Sequence, residues 1–190
     1  ITTVISAQQY NHRNHAAMKK EAKSGKDLSV LSQAIIKNES DRFRSKGYDY
    51  CIGVDEAGRG PLAGPVVAAA GCFVGDPQET MTLEQIRDSK LITNEAEREE
   101  IYEKLVKHPN FIWSASAQSN LIIDDINILQ ATMKAMREAT EGVVSLLPKN
   151  SNNNKKMMAL IDGNRVPENM PVEATPIISG DSLMYSIAAA

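Results

Sequence analysis

From residue 48 onward the chain alternates short apolar runs with longer segments of helical period. Cys51-Ile52-Gly53-Val54 is a continuous apolar run that predicts a strand entering a core. Residues 64–74, Gly-Pro-Val-Val-Ala-Ala-Ala-Gly-Cys-Phe-Val, predict a second. Over 94–107 apolar residues recur at Ala96, Ile101 and Leu105 among charges, with Thr93 as N-cap, which predicts an exposed amphipathic helix ending before Pro109. Residues 111–117 set Phe, Trp, Ala and Ala against Ile, Ser and Ser, an alternation that suits a third strand. Residues 124–147 carry Ile128, Leu129, Thr132, Met133, Met136, Ala139 and Val143 at helical spacing, a core-facing helix stopped by Pro148. Its methionines read as core packing rather than a binding groove. Residues 157–161 and 173–178 predict a fourth and a fifth strand, and a last helix starts at Asp181 or Ser182. There is no internal repeat and no second core, so the pattern predicts one α/β domain.

The ends differ from this body. Residues 1–46 are polar, with nine Lys and Arg against four Asp and Glu, a surplus of five positive charges. The first twenty residues hold no acid, which fits either the remnant of an organelle-targeting extension or a flexible arm with one short helix over 28–37. This gives a division into a flexible or partly helical extension, 1–46, and a catalytic domain, 47–190. The chain begins at Ile1 and stops at Ala190 inside a helical pattern, as a fragment would. Residues 149–156, Lys-Asn-Ser-Asn-Asn-Asn-Lys-Lys, form a polar low-complexity loop.

Composition narrows the classes. With 42% hydrophobic and 24% charged residues the chain is an ordinary globular sequence, and no apolar run is long enough to cross a bilayer. Its net charge of −3 argues mildly against a polyanion binder unless a bound cation changes the local sign. Cys51 and Cys72 lie in or beside apolar runs without a C-x-x-C or a neighbouring His, which predicts buried free thiols in a reducing compartment.

The chemistry lies where strands end. The first ends in Asp55-Glu56, the fourth in Asp162-Gly163, the fifth in Gly180-Asp181, each with glycine one to three residues away. Ligand sites of open α/β sheets lie at that carboxyl edge. Singly, Asp162-Gly163 can be a turn, Asp181 before Ser182 a helix N-cap, and Asp55-Glu56 a solvated strand end. Together, four converging carboxylates share protons or recruit a cation, and an all-oxygen set favours Mg²⁺ or Mn²⁺ over zinc. Neighbouring strand residues point to opposite faces, so Asp55 and Glu56 share one metal site only if the strand breaks there, which the following Ala-Gly-Arg-Gly-Pro would allow.

Gly58 to Ala63 also matches G-x-G-x-x-A, with Asp76 and Glu79 near the distance expected of a ribose-binding acid. The two upstream carboxylates would repel a pyrophosphate, however, and the chain after Gly60 reads as a strand rather than a phosphate-holding helix.

The run 54–70, Val-Asp-Glu-Ala-Gly-Arg-Gly-Pro-Leu-Ala-Gly-Pro-Val-Val-Ala-Ala-Ala, resembles the opening motif of type 2 ribonucleases H, specifically bacterial-type ribonuclease HII. Asp88-Ser89-Lys90, the block 126–133, the block 160–165 and Gly180-Asp181-Ser182 follow in the family's order. The resemblance implies a ribonuclease H-like mixed five-stranded sheet flanked by helices, with the C-terminal part of the family fold missing. It implies endonucleolytic cleavage of the RNA strand of RNA–DNA hybrids and at single ribonucleotides in duplex DNA. It also implies a metal centre of Asp55, Glu56, Asp162 and Asp181, a Gly58-Arg59-Gly60 loop that reads the 2′-OH, and phosphate contacts at Ser89, Lys90 and Asn127. The family's Lys-Val-x-Arg-Asp element and its junction tyrosine are absent. The Asn-rich loop and the first 46 residues have no counterpart in compact bacterial members, which points to a eukaryotic, organellar form.

The expectation is therefore a two-metal-ion nuclease using Mg²⁺ or Mn²⁺, leaving 3′-hydroxyl and 5′-phosphate ends. It is a monomer without membrane attachment, cytoplasmic, or organellar if the extension is a targeting remnant. The alternatives are a non-catalytic hybrid-binding module and, through the glycine loop, a nicotinamide-dependent oxidoreductase.

Overall fold

One strand buried on both faces organises the molecule. β1 (Tyr50–Ala57) lies in the middle of a five-stranded sheet whose order is β3-β2-β1-β4-β5. β2 (Val66–Phe73) runs antiparallel to it and β3 (Phe111–Gln118) antiparallel to β2, whereas β4 (Met157–Asp162) and β5 (Glu173–Ile177) continue the sheet in parallel. This computed structural model describes residues 28–61, 63–75, 86–148 and 155–190. The first 27 residues, Asp76 and Glu79, and most of the 149–156 loop lie outside the described residues.

Alternation assigns the two faces. Tyr50, Ile52 and Val54 of β1, with Ala159 and Ile161 of β4, meet Ala135, Met136, Ala139 and Val143 of α3 (Asn120–Leu146). Cys51, Met158 and Leu160 face the other way, against Leu183, Met184 and Ile187 near the C-terminal end. There the short helix α4 (Tyr185–Ala188) runs directly over β1, and only a glycine at 53 permits it, because a Cβ there would overlap the Ser186 backbone carbonyl. α2 (Glu95–Val106) contributes Ile101 and Leu105 to a further cluster with Phe73, Phe111 and Tyr185. Both cysteines are free and buried as expected, and burial pushes the Cys72 thiol up to about 12. No helix among the described residues is long and apolar enough to cross a membrane.

Several local expectations need correction. The cap of α2 is Asn94, whose Oδ1 accepts from Ala96 N–H at 2.9 Å; Thr93, one residue too early, is not used. α3 begins at Asn120 rather than 124, and at Asn127 (φ 68°, ψ 162°) its backbone leaves helical geometry. The last helix does not start at Asp181 or Ser182. A 3₁₀ turn spans Gly180–Ser182 and α4 follows from Tyr185. Chain after Gly60 returns as β2 beside β1, so no helix N-terminus is offered to a dinucleotide, in line with the repulsion argument.

α1 (Leu28–Arg42) lies within the stretch read as an extension, yet it packs on the domain. Ile35 and Ile36 are buried in the cluster with Ile86, Ile92 and Tyr185. Glu39 is 2% exposed, and its Oε2 accepts from both Ser186 N–H (2.8 Å) and Ser186 Oγ–H (2.7 Å). Burial raises the Glu39 pKa against the opposing pull of these bonds and of Arg44; Tyr185, Cys51 and Cys72 also lie within its electrostatic reach.

A carboxyl held above its ordinary value of 4.5 keeps, when folded, a proton that the unfolded chain has lost. Stability contributed by Glu39 is therefore full at low pH and declines as pH rises through the window from that value to the raised one. Glu39→Gln should remove this slope: in thermal unfolding from about pH 4 to 8 its melting temperature should gain on the parent's as pH rises and then level off. Gly53→Ala should cost at least about 2 kcal/mol in urea unfolding, because backbone rather than a flexible side chain must move.

Candidate active site

Three aspartates reach one place from three separate stretches of chain. Asp55 is the sixth residue of β1 and lies on the face of Cys51 and Gly53. Asp162 ends β4 on the face of Met158 and Leu160, which is the same side. Asp181 sits in the 3₁₀ turn after β5, and the segment that follows it packs on that side too. Gly180 N–H donates to Asp162 Oδ1 at 2.6 Å, tying the second and third acids together through backbone. Gly180 leaves room for its neighbours, since a Cβ there would displace Ile187 Cδ1 and meet Asp162 Oδ1 at 3.1 Å.

The expected break between Asp55 and Glu56 does not occur. β1 runs through to Ala57, with Asp55 opposite Ala69 and Glu56 opposite Ala68, because β2 keeps pairing after β4 has ended at Val54↔Ile161. Glu56 therefore starts from the opposite face. It nonetheless stays within electrostatic reach of both Asp55 and Asp162.

The like charges leave a clear mark. The Asp55 carboxyl is pushed up to about 7, first by burial and next by Asp162, with smaller repulsions from Glu56 and Asp181; the Glu56 N–H donated to its Oδ1 (2.7 Å) opposes them. Asp162 is raised as well, by burial and then by Asp181 and Glu56, against the stabilising Gly180 N–H. Cations of the chain answer two of the acids. Lys90 Nζ lies 2.9 Å from Asp181 Oδ2, and this bond lifts the lysine above its ordinary value. Arg59 Nη1 lies 3.1 Å from Glu56 Oε1. Among the described residues no three acidic, His or Cys side chains are arranged as metal ligands. The donor set suits a hard cation; two of its members are turned toward Lys90 and Arg59.

The other expected site residues divide. A cleft of about 460 Å³ is lined by Asp55, Glu56, Ser89 and Asp181 at its acidic end and by Ile101, Tyr102 and Leu105 of α2 on an apolar wall. Gly58 (φ 96°) and Gly60 flank Arg59 in the exposed turn between β1 and β2, outside that lining. Asn127 also lies outside it: its Oδ1 accepts from Leu129 and Gln130 N–H (3.0 and 3.1 Å), capping the second part of α3. Asp88 and Ser182, quoted above only within family blocks and given no site role, complete the site. Buried Asp88 accepts from Lys90 N–H (2.9 Å) and from Ser182 Oγ–H (3.0 Å), bracing the lysine and the Asp181 turn against each other. An acid just before Ser-Lys is the usual signal of a local cap and could have been read as one.

Comparison with known proteins bears on the family and the fold. The family model for Ribonuclease HII matches residues 52–190. Ribonuclease HII of Chlorobaculum parvum (strain DSM 263 / NCIMB 8327) is 44% identical over 138 residues, covering 73% of this chain and 62% of that protein. The chain spans between 51% and 66% of the length of the curated relatives it matches. Among solved structures, the ribonuclease H2 from Pyrococcus horikoshii OT3 superposes with a TM-score of 0.56 at 21% identity, covering 74% of this chain and 68% of that one. Bst-RNase HIII in complex with Mn²⁺ also gives 0.56, at 19% identity, with coverages of 76% and 50%. These likenesses show the ribonuclease H-like fold, of which the five-stranded mixed sheet is the core.

Because Asp55 is raised, its ionisation above neutral pH costs folding free energy that a neutral isostere would not. Asp55→Asn should therefore melt higher than the parent at pH 8 in a chelator, by roughly 2–4 °C for each 1 kcal/mol of relieved burial and repulsion cost. Near pH 4, where the folded Asp55 is already protonated, the two should converge in differential scanning fluorimetry.

Proposed function

Since the chain belongs to the ribonuclease HII family, we propose that the protein is an endonuclease that hydrolyses the RNA strand of RNA–DNA hybrids and cuts at ribonucleotides embedded in duplex DNA. The observation that carries this reading is the meeting of Asp55, Asp162 and Asp181 on one face at the carboxyl edge of the sheet, close enough to repel one another. An acid cluster of this kind at a strand edge is a cost to the fold unless charge is brought to it.

Divalent cations, Mg²⁺ or Mn²⁺, held by Asp55, Glu56, Asp162 and Asp181 would activate a water for in-line attack and stabilise the leaving 3′-oxygen. The chain's own groups do the rest. Lys90 guards Asp181 with a single ion pair while 78% of its side chain remains exposed, so it is free to move to a backbone phosphate once other positive charge reaches the acid. Arg59 is held over Glu56 on a turn where Gly60 faces open space and would let a sugar edge approach the backbone, while Gly58 makes room for the Pro65 carbonyl of the same turn. A 2′-OH both donates and accepts, so main-chain and guanidinium groups there can tell ribose from deoxyribose. Ser89, beside Lys90 in the cleft lining, supplies a hydroxyl to the same phosphate. Asn127 would reach the duplex from the exposed break in α3.

The test is cleavage of a duplex holding one ribonucleotide, in Mg²⁺, in Mn²⁺ and in chelator. The parent should cut only with a divalent ion, and Asp162→Asn should reduce the rate at least about a hundredfold while still binding the duplex. Binding by the parent without cleavage in either ion would instead favour a hybrid-binding module. Lys90→Ala should retain cleavage at saturating duplex but raise KM and flatten its salt dependence, as loss of one phosphate contact does.

A further inference from the structure

Asp55 and Asp162 are fixed by ladder bonds of the sheet, at Asp55↔Ala69 and Asp162↔Ile177. Asp181 has no such support, since it lies in a turn beyond the end of β5. Something else must set its place to the fraction of an ångström that a shared ligand site demands. We propose that Asn38 and Glu39 of α1 are the positioning residues for Asp181, holding residues 180–186 from behind the site. The proposal rests on the reading that Asp181 belongs to the catalytic acids.

Both residues act on main chain. Asn38 Nδ2 donates to the Leu183 carbonyl oxygen at 2.8 Å. Its own Oδ1 is buried without a partner, a cost that apolar packing at this position would have avoided. Glu39 Oε2 takes the Ser186 N–H and the Ser186 hydroxyl together. α4 has no side-chain cap of its own, so Glu39 provides from α1, 147 residues away in sequence, the acceptor that a local Ser or Asp would normally provide. Between these anchors and Asp181 the chain is tightly wound, with Leu183 and Met184 N–H both donated to the Gly180 carbonyl (2.9 and 2.7 Å). A shift at residues 183–186 is therefore passed straight to residue 181. On the near side Asp88 holds the same turn through Ser182. Asp181 is thus clamped from two directions, one of them α1.

The experiment compares Asn38→Ala, Glu39→Ala, Glu39→Gln and the milder Ser186→Ala with Ile36→Val, which loosens α1 without touching either hydrogen bond. Two quantities are read in the 190-residue chain: amide hydrogen exchange of residues 180–188 by mass spectrometry, and Mn²⁺ affinity by titration calorimetry. Asn38→Ala and Glu39→Ala should speed exchange there at least tenfold with 50–57 and 157–162 unchanged, and weaken Mn²⁺ at least fivefold. Ser186→Ala should do the same to a smaller degree. Glu39→Gln should match the parent in both, because one amide oxygen can accept both bonds, and so should Ile36→Val. The proposal is overturned if the alanine variants exchange no faster than Ile36→Val, or exchange faster yet bind Mn²⁺ as the parent does. A parent that neither binds Mn²⁺ nor cuts would remove the acids' proposed role, whereas the exchange rates would still decide whether the clamp holds residue 181.

Discussion

Repulsion among carboxylates that the sheet forces together is the constraint around which the rest of the molecule is arranged. β1 and β4 are parallel neighbours, and residues paired across the ladder face the same side, so odd-numbered positions of β1 share a face with even-numbered positions of β4. An acid at the end of each therefore cannot avoid the other once the ladder forms. Asp55 and Asp162 stand in this relation, and burial removes much of the water that would otherwise screen them. Hydrophobic burial along Cys51–Val54 and Met158–Ile161 holds the strands in place despite the strain at their ends.

The local chemistry consists largely of answers to that repulsion. Backbone amides supply partial positive charge, from Glu56 to Asp55 and from Gly180 to Asp162. Lys90 and Arg59 supply full charges to Asp181 and Glu56. The two kinds of answer differ in reversibility. Amides are fixed by the fold, whereas the cations sit on exposed Lys90 and half-exposed Arg59 side chains, which can turn away into solvent as the amides cannot. A site balanced in this way keeps two carboxylates available at little cost. Those two are the ones not tethered by an amide, which suits them to exchange one positive partner for another.

The sheet was readable from sequence because β1, β2 and β4 are buried enough to appear as unbroken apolar runs and β3 shows the alternation of a half-buried strand, with the strand ends misjudged. β1 extends past Val54 through two charged residues, since β2 goes on pairing where hydrophobicity has stopped. β3 turns Ser114 and Ser116 toward α3 and leaves Trp113, Ala115 and Ala117 to solvent. That arrangement works because Glu138 accepts from Ser116 and Gln118. The acids themselves were legible through their recurrence at strand ends beside glycine. Their partners were not, because an ion pair between residues 90 and 181, or a bond between 88 and 182, leaves no trace in periodicity. The break in α3 had a local signal: Asn127 is followed three residues later by Gln130, the spacing of a helix start inside what otherwise reads as one helix.

α1 was the least readable element, and the reason is physical. Its polar composition reflects an exposed face and masks the few residues that matter, Ile35, Ile36, Asn38 and Glu39, which are all buried. Two of these are polar because what they meet is not a side chain but the bare main chain of residues 183–186. Main chain without a strand or helix partner must be satisfied by side chains from elsewhere, or its burial is costly. The third acid lies on just such a segment, outside the sheet that fixes the other two, and this makes the geometry of the site depend on a helix remote from it in sequence. A carboxylate edge built on parallel strands gains precision for the acids on the strands; an acid from beyond the strand ends requires a second scaffold, and in the reading proposed above that scaffold includes α1.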